Sequence, residues 1–483
     1  MGINNVAVKT FDSSGTQSLC RTNEYKGTEA VDSSFLRKCN KLYISGTGEN
    51  VISGSLNKFP VTGSTDTFYI NADSDAISEM ILSVEFKFKS SAQAYDAYVS
   101  KDIILALINK IEIKIGNLTA QTITADDIYI RNITELGKAC SLSAPLTKST
   151  DGYGNFWFRK NDADEVIKLQ ASCSIPFIGR NSEMNKVFLQ AGSLTNSIQV
   201  KVYYNNLHPS VGESSFQVIA GTDNTAGSAT YLDLNYFKSQ LKCRTHIMTS
   251  SEKNFINNNI VNRVLNTSSN ITTTIDKNTN ISKLSDSTTE VVIDLETISH
   301  NISHLLVAVR LPHVNDKTIS SNGTSPASTY FDPNNGNHPD VVSATPFSEI
   351  NYENTASTSI YDVYGYMPNA IKTVELSIGS NRTGLIHGNS ALVSNLVNFN
   401  LEPSNSEAWY CISLSEKAFC PSGIQFSKTN YKKLIINLNN DIFYNQSKEN
   451  ALNSTNVTQK AIISVTACGT KVQTIAGGST AFA

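Results

Sequence analysis

A hexapeptide that occurs twice limits this chain more than any other feature. Ile111-Glu112-Ile113-Lys114-Ile115-Gly116 returns as Val374-Glu375-Leu376-Ser377-Ile378-Gly379, 263 positions later (374 − 111). Each copy alternates apolar and polar residues, the pattern of a strand with one buried face. Gly closes both, where a chain turns sharply. A polar loop and a helix are expected next. In the first copy Thr124 suits the N-cap, with Asp127 at the third helical position, close to a capping box. Ile130, Ile133 and Leu136 form an apolar stripe, and Gly137 is a natural stop. In the second copy Asn389 is the cap, and Leu392, Leu396 and Val397 carry the stripe. The hexapeptide alone is what any half-buried strand looks like, so two unrelated strands remain an alternative. The order strand, Gly, loop and helix favours a duplication.

The chain has 483 residues, more than one domain usually holds, and two domains fit the repeat spacing. Lys and Arg number 39 against 42 Asp and Glu, a net charge of −3 that argues against direct, sequence-specific nucleic-acid binding. Eight cysteines are scattered without a CxxC pair, which fits neither a disulfide scaffold nor zinc spacing and suggests free, buried thiols. The N-terminus resembles neither a signal peptide nor a myristoylation site, and the longest apolar run, Ile103 to Ile108, is too short to span a bilayer. The expectation is a soluble protein that is not secreted by a cleaved signal.

Along the chain, residues 1–40 read as an N-terminal arm. Lys41 to Ser55, Thr67 to Ala72, Leu82 to Phe88, Ile167 to Ile175 and Ile198 to Tyr204 read as strands, and residues 101–108 as a short helix. Residues 41–208 form a first unit, with a polar loop at 141–165 that carries Phe156, Trp157 and Phe158. These aromatics are expected to pack that loop onto the barrel or a neighbour; a binding patch is the other reading. A Gly-, Ser- and Thr-rich linker occupies 209–228. The second unit, 229–473, has strands at Tyr231 to Phe237, Val291 to Leu295, Leu305 to Leu311, Leu434 to Leu438 and Ile463 to Cys468. Long loops are expected at 250–287 and 314–358, and a flexible tail at 474–483. Many short strands, few helices and two similar halves predict a mainly β chain. Two tandem eight-stranded jelly-roll barrels with a few short helices fit best.

Four segments resemble one family. They are Ile108 to Gly116 with the helix 126–136, then Ile175-Pro176-Phe177-Ile178-Gly179-Arg180-Asn181, Tyr231 to Phe237, and Pro421-Ser422-Gly423-Ile424-Gln425-Phe426-Ser427. In order and spacing they resemble the double jelly-roll major capsid proteins of nucleocytoplasmic large DNA viruses and their smaller relatives, virophages and polinton-like viruses. Ser182-Glu183 stands where that family usually has Pro-Gly, and the last motif is one residue shorter. The resemblance places Tyr231 to Phe237 at the opening of the second barrel. It implies a structural, late viral protein whose homotrimers, pseudo-hexagonal in outline, tile an icosahedral capsid. Its partners would be itself, neighbouring trimers, minor capsid and penton proteins, and an internal membrane nearby. Its location would be the virion capsid, assembled in the host cytoplasm or nucleus.

No enzymatic site can be assembled. His300 and His304 have the spacing of HExxH, but the general-base position is Asn301, and the segment reads as a loop feeding a strand. Hydrogen-bonded histidines are the plainer reading. Cys411 and Cys420 read as a thiol pair across a hairpin. There is no nucleophile elbow, P-loop or Rossmann glycine pattern, so no catalytic, cofactor or metal residue is assigned. Without a signal peptide, the Asn-x-Ser/Thr sequons at Asn117 and Asn132 are read as chance. The alternative function is a viral carbohydrate-binding or spike-like β-sandwich protein. It would need an exposed cleft of aromatic and carboxylate groups. A jelly-roll hydrolase would need a cluster of His and carboxylates.

Overall fold

The computed structural model describes residues 44–60, 63–70, 75–90, 96–99, 103–138, 140–143, 149–150, 156–159, 166–180, 189–190, 197–205, 219–221, 230–276, 289–310, 371–379, 381–382, 386–387, 409–415, 423–429, 431–438, 460–476 and 479–482. Among the described residues, sixteen principal strands build two barrels, with shorter strands added at the sheet edges. The first has β1 (Ile44–Ser53), β2 (Thr65–Ile70), β3 (Ala76–Ser90), β4 (Ile108–Ile115), β5 (Leu118–Thr124), β6 (Val166–Ser174), β7 (Ile198–Tyr204) and β8 (Thr230–Met248). The second has β9 (Val261–Asp276), β10 (Thr289–Asp294), β11 (Asn301–Arg310), β12 (Ile371–Ile378), β13 (Asn381–Arg382), β14 (Trp409–Ser413), β15 (Lys432–Leu438) and β16 (Lys460–Ala476). The helices are α1 (Ile103–Leu107), α2 (Ala125–Leu136) and α3 (Ser250–Asn258).

The principal strands of the first barrel form the sheets β1-β8-β3-β6, extended by Ser141–Ser143 beside β6 and Leu189–Gln190 beside β3, and β2-β7-β4-β5. The second repeats them as β9-β16-β11-β14 and β10-β15-β12-β13. Each barrel is therefore an eight-stranded jelly roll. The duplicated hexapeptides hold the same place in both. Ile111 and Ile113 of β4 pair with Val202 and Val200, as Val374 and Leu376 of β12 pair with Ile436 and Leu434. Gly116 and Gly379 take left-handed φ of 59° and 60°, and their N–H groups donate to Ser197 O and Tyr431 O, each the residue before its neighbouring strand.

Several boundaries differ from the sequence reading. Tyr231 to Phe237 opens no second barrel: β8 pairs with β3 and β1, so it is the last strand of the first. Its partners lie more than a hundred residues upstream, a separation that no local pattern reveals. The segment 117–123, read as a loop, is mostly β5 paired to β4. Much of 250–287 is structured as α3 and β9. The Asn, Ser and Thr of β9 serve as strand residues because they bond sideways. Asn270 Nδ2 donates to Ser464 Oγ and Thr466 Oγ1, at 2.9 and 2.8 Å. The presumed tail contains a strand, Ser479–Phe482, that folds back on β16. Within 209–228, Ile219–Gly221 pairs with Asp96–Val99, and within 141–165 Phe156–Arg159 pairs with that same strand. The arm 1–40, the segment 314–358 and the helix after Gly379 lie outside the described residues.

One carboxylate ties the first barrel together. Asp66 on β2 is fully buried. Oδ1 accepts from Ser55 N at 2.8 Å, Leu56 N at 3.0 Å and Ser55 Oγ at 3.0 Å. Oδ2 accepts from Ser239 Oγ of β8 at 2.6 Å and Tyr204 OH of β7 at 3.3 Å. A Cβ on Gly54 would stand 1.9 Å from Ser239 Oγ, so only glycine leaves room for the cluster. Asp66→Ala strands several buried donors and is expected to cost about 3 kcal/mol or more. Ser55→Ala, which removes one hydroxyl, should cost about 1 kcal/mol. Calorimetric melting of both variants checks the order.

Candidate functional site: the buried joint between the barrels

The two barrels meet through α2 and β5 of the first and β9 and β16 of the second. The helix forms where the sequence predicts. Thr124 Oγ1 accepts from Asp127 N at 3.2 Å, and Gly137, at φ 70°, donates its N–H to Ile133 O. The buried apolar residues are Ala125, Ile128, Tyr129, Ile130 and Ile133, whereas Leu136 is 56% exposed. Leu136 therefore does not extend the stripe: the helix turns it outward at its last turn.

The polar side of the same helix is buried as well, because the second barrel covers it. Glu135 accepts from Arg131 Nε at 2.6 Å and from Arg180 Nη2 at 2.5 Å. Arg180 Nη1 donates to Asn132 Oδ1, and Asn132 Nδ2 donates to Ser174 O at 2.8 Å. Arg131 Nη1 donates to Pro176 O of the first barrel at 2.9 Å and, crossing to the second barrel, to Ser268 Oγ at 3.2 Å. Ser268 Oγ donates to Asp127 Oδ2 at 3.0 Å, and Gln121 Nε2 to Ser268 O at 3.2 Å. Gly179 N donates to Asn266 O at 3.1 Å. Gly179 has φ +86°, and a Cβ there would stand 2.8 Å from Leu189 N. The segment Ile175 to Arg180 thus supplies a carbonyl, an N–H and a guanidinium to the joint.

Electrostatics sort these groups. Burial raises the Glu135 carboxyl, but the guanidiniums of Arg131 and Arg180 outweigh it and hold it below its ordinary value. Burial dominates at Asp127 and pushes it up to about 6, against the pull of Arg131 and the Ser268 hydroxyl. Burial also lowers His304, on the facing β11, to about 3, so it is neutral beside these charges.

The second barrel's sheet is consequently dry on both sides. Leu305, Val307 and Val309 of β11 face its own core, while Leu306 and Ala308, with Cys411 and Cys468, join the core of the first barrel. Period-2 reading of 305–311 identified only the inner face; the unbroken apolar run Leu305 to Val309 was the signal for burial on both sides. The charged members of the joint carried no such signal, because Asp127, Arg131 and Glu135 read as an ordinary solvated helix face.

His300, His304 and Cys411 are accounted for in packing. His300 is buried ahead of β11, with Nε2 3.2 Å from Ala467 O and Nδ1 3.5 Å from Ser269 Oγ. His304 Nδ1 lies 2.8 Å from Ser303 Oγ. Cys411 is a buried free thiol; Cys420 and the side chains of Phe156, Trp157 and Phe158 are outside the described set. The Gly423 motif is explained by a close approach: a Cβ there would stand 1.8 Å from Ile302 O. Among the described residues no three His, Cys, Asp or Glu side chains converge as a metal site. No helix among them is long and apolar enough to cross a membrane.

No protein-family model and no curated protein sequence matches the chain. Solved structures do. The chain is similar to the VP54 protein of PBCV-1 as fitted into a cryo-EM reconstruction of the virophage Sputnik, at 12% identity and TM-score 0.56, over 92% of this chain and 98% of that one. The quasi-atomic model of the PBCV-1 virus capsid matches at 12% identity and TM-score 0.54, with the same coverage. The cryo-EM structure of the Sputnik virophage matches at 10% identity and TM-score 0.51, over 91% of this chain and 89% of that one.

Two predictions follow from the joint. A carboxyl raised to about 6 in the folded chain, against an ordinary 3.8, binds its proton more tightly folded than unfolded. Its ionisation therefore removes stability as pH rises through about 6 and has no effect below about 4. Asp127→Asn should melt higher than the wild type at pH 8 and lose that advantage by pH 4; a wild type that melts higher at pH 8 would show that the Arg131 pairing outweighs burial. Glu135→Gln leaves two buried guanidiniums without their carboxylate and should cost about 3–5 kcal/mol at neutral pH, read as a drop in the same melting transition. The strand order of both barrels and the near-complete coverage by these viral structures agree: the chain has the double jelly-roll fold of major capsid proteins.

Proposed function

We propose that this chain is a major capsid protein whose homotrimers, pseudo-hexagonal in outline, tile an icosahedral shell. The observation that carries this reading is the pair of equivalent barrels fixed side by side through a buried joint. A chain so built fills two neighbouring places of a hexagon, and three chains fill six. Such contacts between unlike surfaces close into a ring when the rotation divides the circle. The capsid proteins that share the fold over nearly their whole length support the same reading.

The chain works by shape, and no enzymatic role is assigned to it: its buried histidines and thiols serve packing. Its partners are copies of itself, neighbouring trimers, and minor capsid and penton proteins. Its place is the virion capsid, assembled inside the host cell. A net charge of −3 gives no electrostatic reason for direct genome binding.

Light scattering of the purified chain should give three times its 52.6 kDa, and negative-stain images should show hexagonal particles. A particle that stays monomeric at about 10 µM, far above the dissociation constant of an obligate oligomer, would overturn the reading.

A further inference from the structure

Three connections at one end of the first barrel contribute to a sheet of their own. Ser90, the last residue of β3, pairs with Thr230 of β8, and Lys89 pairs with Val166 of β6. The connections 91–102, 144–165 and 205–229 therefore start or finish side by side. The first supplies Asp96–Val99, the second Ser149–Thr150 and Phe156–Arg159, and the third Ile219–Gly221. These four strands pair antiparallel in the order Ile219–Gly221, Asp96–Val99, Phe156–Arg159, Ser149–Thr150.

Register sorts their residues into two faces. Residues directly opposite in an antiparallel pair share a face, and successive residues of a strand change face. Val99 is opposite Phe156 and Ile219, and Ala97 is opposite Phe158 and Gly221. That face is apolar apart from Thr150, which is opposite Phe156. On the other face Tyr98 is opposite Trp157 and Ala220, Ser149 is opposite Trp157, and Asp96 is opposite Arg159. One row of this face thus holds two aromatic residues. The next row, about 7 Å along the strands, holds an acid and a base. An apolar face backed by a mixed one is the pattern of an antiparallel sheet packed on one side. The aromatic trio is divided by it: Phe156 and Phe158 fall on the apolar face, and Trp157 falls on the mixed one.

We propose that the mixed face, with Tyr98 and Trp157 in one row and Asp96 and Arg159 in the next, is a platform that binds an uncharged sugar of a glycan. A pyranose ring has an apolar face of C–H groups and a rim of hydroxyls. The negative face of an aromatic ring attracts the polarised C–H groups. A carboxylate only accepts hydrogen bonds and a guanidinium only donates them, so the two together serve hydroxyls, which do both. The charges of Asp96 and Arg159 cancel, which favours a neutral sugar over a sialylated or sulfated one. Tyr and Trp also offer contact area at low entropic cost. One platform of this size binds weakly, and copies held together in a capsomer gain strength by binding at once. The platform belongs to the first barrel alone, so it does not depend on the capsid reading.

The experiment passes the purified chain over immobilised oligosaccharides that end in galactose, glucose, mannose or N-acetylglucosamine, beside sialylated and sulfated ones. Salt at about 500 mM screens simple ionic adsorption. The chain should be retained on at least one neutral sugar. Trp157→Ala and Tyr98→Ala should keep the melting temperature of the wild type and weaken that retention about tenfold each. The same sugar, free in solution, should shift the tryptophan emission of the wild type. It should leave unchanged the emission of Trp157→Phe, in which Trp409 is the remaining tryptophan. This second readout stands even where an alanine variant fails to fold. Retention on no neutral sugar, retention on charged glycans alone, or full retention by both alanine variants would each overturn the inference and leave the capsid reading standing. A chain that binds the sugar but never forms trimers would overturn the capsid reading and leave the platform.

Discussion

Glu135 lies between the two buried guanidiniums of Arg131 and Arg180, and one of these, Arg131, reaches across to the second barrel. A carboxylate buried with one arginine is costly to hold; Glu135 has two, and an amide and backbone carbonyls surround them. The cluster draws on a helix between β5 and β6, on the turn after β6 and on a strand of the other barrel. No one of these elements would keep its position without the others. A purely apolar seam could have held the barrels together, but slippage between greasy surfaces costs little. Directional bonds that cross the seam, from Arg131 and Gln121 to Ser268 and from Gly179 N to Asn266 O, fix one register.

The same topology is stabilised differently in its two copies. In the first barrel, position 66 on β2 carries the buried aspartate that gathers donors from three other segments. The equivalent place on β10, opposite Ile436 where Asp66 is opposite Val202, is Val291. The outer face of the first barrel's larger sheet is paved with ion pairs such as Glu49–Lys242 and Lys168–Glu85, as a wetted face would be. The corresponding sheet of the second barrel is covered by α2 and β5 and carries Leu306, Ala308 and Cys468 instead. Side-chain chemistry thus follows what covers each face, while strand order follows hydrogen bonding and twist alone.

Strands with one wet face were legible in the sequence because their period is two: β4, β7, β12 and β15 stand where alternation put them. The helix α2 was legible from Thr124 and Gly137, whose roles are local. What was not legible is long-range or sideways. Assigning β8 to the first barrel requires knowing that Leu241 pairs with Leu82. Reading β9 as a strand requires knowing that Asn270 finds Ser464 and Thr466 across the sheet, since its composition is that of a loop. The joint itself was hidden because a buried charge looks, in one dimension, like a solvated one.

A seam crossed by several directional bonds has a mechanical meaning. Rotating one barrel against the other would pull Arg131 from Ser268 and Gly179 from Asn266 while exposing Leu306 and Ala308 to water. The chain therefore behaves as a stiff plate two barrels wide, not as two beads on a string. In any shell built from such plates, curvature must be taken up where one chain meets the next, and the hinge lines of the shell are drawn by chain boundaries.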